Sequence, residues 1–294
     1  MSFQVARPTP VAHAAEPPRR LVLVGHPVEH SRSPIFQNAA LASIGSALRY
    51  EALDVPPPLL DRALDALVRE RAAGNVTVPH KATVWARCNR RTLLAEQVGA
   101  ENCFWTEGSN LVGDNTDVAG AQESIQQLVG APSRVKFGVR LLGAGGSAAA
   151  VLAALAPWPE AEVSIWARTP DRAFEMIPRL RPRATLVERP DDRLESVRLI
   201  INATPVGLDG TLPPVPIAAL AAGTAVFDLT YAPNETRWVR EARARGLRAL
   251  DGLRMLVEQG AWSFARWFGR VPDRRILWAA LGTQPPTPTR RLNW

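Results

Sequence analysis

Only two of the chain's 35 lysine and arginine residues are lysines, Lys81 and Lys136. Lys81 falls in GNVTVPHKATV (74–84), where an apolar run passes into a helical pattern. Lysine can release its proton at an accessible pH, whereas arginine, with a pKa above about 12, does not. An ammonium kept in an arginine-rich chain is therefore a candidate proton carrier; the bland alternative is a surface lysine at a helix start. Polar clusters accompany it at the ends of expected strands: HSRSP, NVTVPHK, AEN and GDNTD. They offer hydroxyls (Ser31, Ser33, Thr77), amides (Asn75, Asn102) and a Lys/Asp pair (Lys81, Asp117). Such groups suit a polyhydroxylated molecule on which one proton moves. No Ser-His-Asp ordering and no cysteine in a nucleophile setting is present.

A second chemical signal is LLGAGGSAA, in which Gly143, Gly145 and Ala148 form G-x-G-x-x-A directly after an expected strand and at the opening of an expected helix. In that setting the first glycine makes the tight turn and the second admits a pyrophosphate to the backbone. The helix N-terminus then favours the anion. The competing reading is a glycine-rich connection that binds nothing. An NAD-binding unit usually carries Asp or Glu at the end of the next strand. Here that stretch is IWARTPDRA, with no acid before Asp171 and with Arg168 and Arg172 in the turn. Guanidinium forks match a phosphate, so NADP is expected; a solvated arginine pair is the alternative.

These residues need a scaffold of alternating strands and helices. RRLVLVGHPV, LRYEALDV and NVTVP read as strands, with helices over SRSPIFQNAALASIG, PPLLDRALDALVRERA and HKATVWARC. Ser33 is placed to cap the first helix, with Pro34 in its first turn. ENCFWTEGSNLVGDNTD reads as a hairpin turning at residues 107–109. After the helix VAGAQESIQQLVG, the strands VRLLGAGG, AEVSIWA, ATLVE, VRLIINAT and TAVFDLT interleave with the helices SAAAVLAALA and PDRAFEMIPRL. Repeated βαβ units imply a parallel sheet covered by helices. The stretches MLVEQGAWSFARWFG and DRRILWAALG are helical, with Trp262, Trp267 and Trp278 as packing residues.

Composition excludes several classes. The net charge is +7, yet the arginines are spread through every segment and no basic stripe interleaved with aromatics appears. Anionic small molecules are therefore expected as partners rather than nucleic acid. The four histidines lie outside any zinc pattern, so no metal is expected. Cys88 and Cys103 lack redox or ligand spacing, which fits free thiols in a reducing cytoplasm. No apolar run reaches a membrane span, and the first twenty residues lack a secretory apolar core.

The motifs GHPVEHSRSP, NVTVPHK, GDNTD, GAGGSA, ARTPDRA, INATPVGL, DLTYAPNET and DGLRMLVEQ occur in an order and spacing that resembles the shikimate dehydrogenase family, over about residues 20 to 282. The resemblance implies an α/β protein of two domains. An N-terminal αβ substrate domain (20–117 and 253–284) would receive the C-terminal helices, and a Rossmann-like NADP-binding domain would cover 118–252. A disordered lead-in (1–19) and a flexible tail (285–294) would flank them. It further implies NADPH-dependent reduction of 3-dehydroshikimate to shikimate and its reverse, and it admits a homodimer.

Carried over by position, Ser31 and Ser33 resemble the pair that holds the substrate carboxylate. Thr77, Asn102 and Asp117 resemble hydroxyl contacts, and Asn75 is placed among the substrate-binding residues. Tyr231 and Gln259 match further substrate positions. Lys81 resembles the catalytic lysine, paired with Asp117. Gly143, Ala144, Gly145, Gly146 and Ser147, then Ala167, Arg168, Thr169 and Arg172, resemble cofactor loops, joined by Asn202, Leu229 and Gly252. The chain departs from the family pattern at Glu101 (usually apolar), Cys103 (usually Thr), Val118 and Arg254 (often Gly), Ala167 (often Asn) and His80 (often aromatic). A paralogue acting on quinate or a related polyol is a second reading, and Ser31/Ser33 and Arg168/Arg172 oppose quinate with NAD. A silent ligand-binding protein is a third, opposed by the presence of Lys81 and Asp117.

Overall fold

The computed structural model describes residues 13–207 and 214–284. Contacts divide the chain into two compact units. One holds the described residues through Thr116 and those from Val257 onward; the other is Asp117–Leu256.

The first unit is built on strands β1 (Arg20–Gly25), β2 (Tyr50–Asp54), β3 (Ala72–Val76), β4 (Arg90–Arg91), β5 (Cys103–Glu107) and β6 (Asn110–Asp114). Its helices are α1 (Ser33–Ser43), α2 (Leu60–Arg69), α3 (Lys81–Arg87) and α4 (Leu93–Val98). The sheet order is β2-β1-β3-β5-β6-β4. β1 pairs in parallel with β2 and β3, while β5 runs antiparallel to β3 and to β6. The apolar stripe of α2 (Leu60, Leu64, Leu67) buries against Val22, Val24, Val76 and Phe104, as its helical spacing requires.

The second unit opens with α5 (Asp117–Val129) and continues as β7 (Phe137–Leu142), α6 (Gly146–Ala154), β8 (Ala161–Trp166), α7 (Pro170–Leu180), β9 (Thr185–Leu186), β10 (Val197–Asn202), β11 (Ala225–Asp228), α8 (Arg237–Ala244) and β12 (Ala249–Leu250). Its sheet, ordered β12-β11-β10-β7-β8-β9, is parallel throughout. α9 (Leu253–Phe268) and α10 (Arg274–Ala280) are the last elements among the described residues. Residues 257–284 belong to the first unit, where Arg32 Nη2 donates to Leu281 O at 2.9 Å.

Several local expectations are corrected. Ser33 is the first residue of α1 rather than its cap; Arg32 holds the cap position, and the Ser33 N–H donates to Ser31 Oγ at 3.2 Å. β3 starts two residues before Gly74 and ends at Val76, leaving Thr77 in the turn. α4, α8 and β12 lie outside the elements expected from sequence, although Thr92 and Thr236 cap their helices by accepting from Ala95 N and Val239 N. Those caps were legible signals. Residues 13–19 have no strand or helix before Arg20, but Ala14 N–H donates to Arg266 O at 2.8 Å, and Glu16 pairs with Arg71. Residues 1–12 and 285–294 lie outside the described residues. Trp267 and Trp278 are buried, and Trp267 Nε1 donates to Phe104 O at 3.2 Å.

One buried ion pair ties α9 to the hairpin. Asp114 is fully buried, accepts from Thr92 Oγ1, and pairs with Arg266 Nε. Removing one member of such a pair leaves an uncompensated charge, which costs about 3–5 kcal/mol. Arg266→Met is therefore expected to lose about that much in urea denaturation; a loss below about 1 kcal/mol would mean the pair is dispensable.

Candidate functional site

In the first unit the polar residues converge because three strands end beside one another. β1 and β3 stop together, and the turn beyond them is pinned by Thr77 N–H donating to Val24 O (2.9 Å) and His26 N–H to Val78 O (3.0 Å). Gly25 is required there, since a Cβ would lie 2.4 Å from Thr77 Cγ2. The turn delivers His80 to the cap of α3 and Lys81 to its first residue. His80 is buried, and its Nε2–H donates to Val55 O at 2.7 Å. Ser31 and Ser33 sit at the start of α1.

Asn102 is the node of a buried network. Its Nδ2 donates to Thr116 Oγ1 (3.0 Å) and to Gln259 Oε1 (2.9 Å), and its Oδ1 accepts from Thr116 N (2.7 Å). Thr116 Oγ1 lies 2.8 Å from Ser263 Oγ. Asn75 Nδ2 donates to Ser263 Oγ (2.7 Å) and to Asn102 O (2.8 Å), and Asn75 Oδ1 accepts from Tyr50 OH (2.8 Å). Burial pushes the Tyr50 phenol well above its ordinary pKa, so it remains a donor. The structure therefore brings Asn75, Asn102 and Gln259 together. Asn75 spends its amide on neighbours within the unit, among them the Asn102 carbonyl. Thr116, Ser263 and Tyr50 were absent from the expected site residues; Thr116 was visible only as the middle of NTD.

Between Lys81 and Asn102 in this architecture stands Glu101. Its N–H donates to Lys81 O at 3.3 Å. Its side chain is fully buried, Cys88 Sγ donates to Oε1 at 3.0 Å, and Oε2 has no hydrogen-bond partner. Gly113 makes room for it: a Cβ there would come within 1.6 Å of Oε2. Burial raises the carboxyl pKa to about 8, against smaller lowering effects of Cys88 and Arg91 and a further rise from Asp114. Burial also pushes the Cys88 and Cys103 thiols up, so both stay protonated.

In the second unit the switch point of the parallel sheet lies between β7 and β10, whose connections leave in opposite directions. Gly143 follows β7 at φ +113°, a region that excludes ordinary side chains, and its Cβ would lie 3.0 Å from Ala203 O. Gly145 caps α6, and a Cβ there would meet nothing within 4 Å. With Gly146 and Ser147 opening the helix and Ala148 buried, the residues after β7 form an open cradle at a nine-residue helix N-terminus. That space fits a dinucleotide pyrophosphate.

After β8 come buried Ala167 and exposed Arg168, Thr169 and Arg172. Asn202, ending β10, is fully buried; it donates to Asp228 Oδ1 (2.9 Å) and Val206 O (3.1 Å) and accepts from Thr204 Oγ1 (2.6 Å). It organises the neighbouring loops. Gly252 lies against Leu229, whose carbonyl oxygen would be 2.0 Å from a Cβ. Tyr231 follows in the same loop, half-buried. Asp117 is buried as the first residue of α5, directly after Thr116. Val118 is helical, so glycine's conformational range is not needed there. Arg254 sits in the first turn of α9. Among the described residues there is no cluster that could hold a metal ion, and no helix is long and apolar enough to cross a membrane.

Comparisons with known proteins agree on one family. Residues 23–104 match the shikimate dehydrogenase substrate binding domain, and residues 252–281 match the shikimate 5'-dehydrogenase C-terminal domain. The chain is 38% identical to shikimate dehydrogenase (NADP(+)) of Alkalilimnicola ehrlichii, over 89% of this chain and 98% of that one. The crystal structure of shikimate dehydrogenase from Aquifex aeolicus superposes with a TM-score of 0.83 at 30% identity, covering 90% and 97% of the two chains. That of the Thermus thermophilus shikimate 5-dehydrogenase in complex with NADP(H) and shikimate gives 0.78 at 36% identity, covering 90% and 98%.

The Glu101 carboxyl makes stability depend on pH. Its ordinary pKa is 4.5 and its folded value about 8, so between these pH values the folded protein keeps a proton that the unfolded chain has lost. The resulting stabilisation is complete below the lower value. It falls by about 1.4 kcal/mol per pH unit until the carboxyl ionises. Glu101→Gln is expected to remove that slope, so its urea midpoint should exceed the wild type's at pH 9 by more than at pH 5. Parallel curves over this range would contradict the assignment.

Proposed function

Because the chain belongs to the shikimate dehydrogenase family, we propose that it catalyses the reversible NADPH-dependent reduction of 3-dehydroshikimate to shikimate, a step toward aromatic amino acids. The observation that carries the reading is the buried Asn102–Thr116–Gln259 node beside the segment that bears Lys81. A polyhydroxylated ring needs fixed donors and acceptors, and this network fixes them before any ligand arrives. We assign residues 20–117 and 253–284 to substrate binding and 118–252 to the cofactor. Ser31 and Ser33 hold the carboxylate through hydroxyl donation; Thr77, Asn102, Asp117 and Gln259 contact the ring hydroxyls, with Asn75 holding Asn102 and Tyr231 as a further substrate contact.

The chemistry supplied by bound NADPH is delivery of a hydride to the ketone carbon. The residues that would hold it are Gly143–Ser147 around the pyrophosphate, Arg168, Thr169 and Arg172 at the 2′-phosphate, and Asn202, Leu229 and Gly252 toward the nicotinamide. Lys81 gives its ammonium proton to the carbonyl oxygen as negative charge develops there, and it takes that proton back in the oxidative direction. Asp117 is its partner carboxylate. The buried, protonated thiols of Cys88 and Cys103 fit a reducing cytoplasm.

Lys81→Arg keeps the charge and removes the transferable proton. It is expected to lower shikimate turnover by about 10²- to 10⁴-fold, with the fold and shikimate binding retained; near wild-type turnover would contradict the role. Replacing Arg168 and Arg172 with alanine should raise KM for NADP+ by about ten- to a hundredfold through lost charge-assisted hydrogen bonds, leaving KM for NAD+ unchanged. Equal losses with both cofactors would place the 2′-phosphate elsewhere.

A further inference from the structure

α3 is short, seven residues, and it carries Lys81 at its first position. A helix of two turns has few internal hydrogen bonds, so its placement depends on what grips its ends. One residue grips both. The Glu101 N–H donates to Lys81 O at 3.3 Å, and the Glu101 carboxyl accepts from the thiol of Cys88, the residue that closes the helix, at 3.0 Å. The seat of that carboxyl is shaped for it. It lies over Gly113, where any Cβ would collide with it. Asn115 Nδ2 donates to the carbonyl of Ala100, the residue before it, at 2.8 Å, and the next residue is the Asn102 node. We infer that Glu101 is a positioning residue for the reaction: through its backbone and its carboxyl it fixes both ends of the helix that begins at Lys81, in register with Asn102.

The carboxyl does this in its neutral form. The charged and titratable groups around it are Cys88 at the end of α3, Arg91 on β4, Asp114 on β6 and Cys103 on β5. Of these only Arg91 is cationic, and its guanidinium is already engaged, with Nε on Trp85 O at 2.6 Å and Nη1 on Glu96 at 3.0 Å. Asp114 adds negative charge, and Oε2 has no hydrogen-bond partner. An ionised Glu101 would therefore sit buried, with an unsatisfied oxygen and an acidic neighbour, which favours displacement of the carboxyl from its seat. The grip on α3 is then lost as pH rises, because deprotonation near pH 8 removes the form that fits.

This inference rests on the proposed role of Lys81, and the test separates the two. The full-length wild type and Glu101→Gln are assayed for shikimate oxidation by NADP+ from pH 6.5 to 9, and amide hydrogen exchange of residues 82–88 is followed over the same range after correction for intrinsic rates. Gln is neutral at every pH and accepts from the thiol as the acid does. At pH 6.5 the two proteins should have similar kcat. At pH 9 a group with a pKa about 8 is about nine-tenths ionised, so the wild type should fall about tenfold in kcat relative to Glu101→Gln. KM for NADP+ should stay the same. Exchange in α3 should rise with pH in the wild type alone. Cys88→Ala provides a second variant: it removes the carboxyl's partner at the end of α3 while Glu101 stays in place, so at pH 6.5 its kcat should already fall below the wild type's and exchange in α3 should already be raised. Superimposable pH profiles and exchange for wild type and Glu101→Gln would overturn the inference. A wild type that fails to oxidise shikimate but shows the exchange difference would sustain Glu101's grip on α3 and overturn the activity reading instead.

Discussion

One side-chain amide sets the geometry of the first unit. Asn102 donates to Thr116 and Gln259 and accepts from the Thr116 backbone, so it joins the start of β5, the end of the β6 segment and α9. It is buried, as are its neighbours Asn75, Thr116 and Ser263. Buried polar groups tolerate few arrangements, because each unpaired donor or acceptor costs about 1–3 kcal/mol. A network of this kind therefore specifies side-chain positions more tightly than apolar packing does. The ion pair of Asp114 with Arg266 and the contact of Trp267 with Phe104 O hold α9 to the same hairpin. Lys81 is tied in through Glu101, one residue from the node.

The second unit obeys a different constraint. Its parallel sheet reverses direction of travel between β7 and β10, so the loops after these strands diverge and leave a crevice. Gly143 makes the exit from β7 with a positive φ, and Gly145 keeps the space beyond it open. Asn202 and Asp228 then brace the far wall through one hydrogen bond of 2.9 Å and a set of threonine contacts. Burial raises the Asp228 carboxyl pKa, and hydrogen bonds from Thr236, Thr230 and Asn202 offset part of that cost.

Much of this was legible in the sequence because periodicity and turn chemistry are local. The strand–glycine–helix passage at 137–154, the hairpin about Gly108 and the apolar stripe of α2 each follow from residue spacing alone. So did the fold class, since alternating strands and helices allow few other layers. What the sequence concealed was long-range. Tyr50, Thr116 and Ser263 lie up to 213 residues apart, and nothing local marks them as one cluster. Glu101 stood out as a departure, but its neutrality depends on Gly113 and Cys88 enclosing it, which only the folded chain reveals. Ser33 was misread as a cap because serine before proline fits both the cap and the first helical position.

The central claim is that the chain oxidises shikimate and that its second substrate is NADP+. The most direct measurement is reduction of NADP+ by the full-length protein supplied with shikimate, with quinate and NAD+ as the alternative partners. The account predicts NADPH formation whose kcat/KM with shikimate and NADP+ exceeds that with either alternative by about a hundredfold or more. No NADPH from shikimate, or a preference for quinate with NAD+, would contradict it.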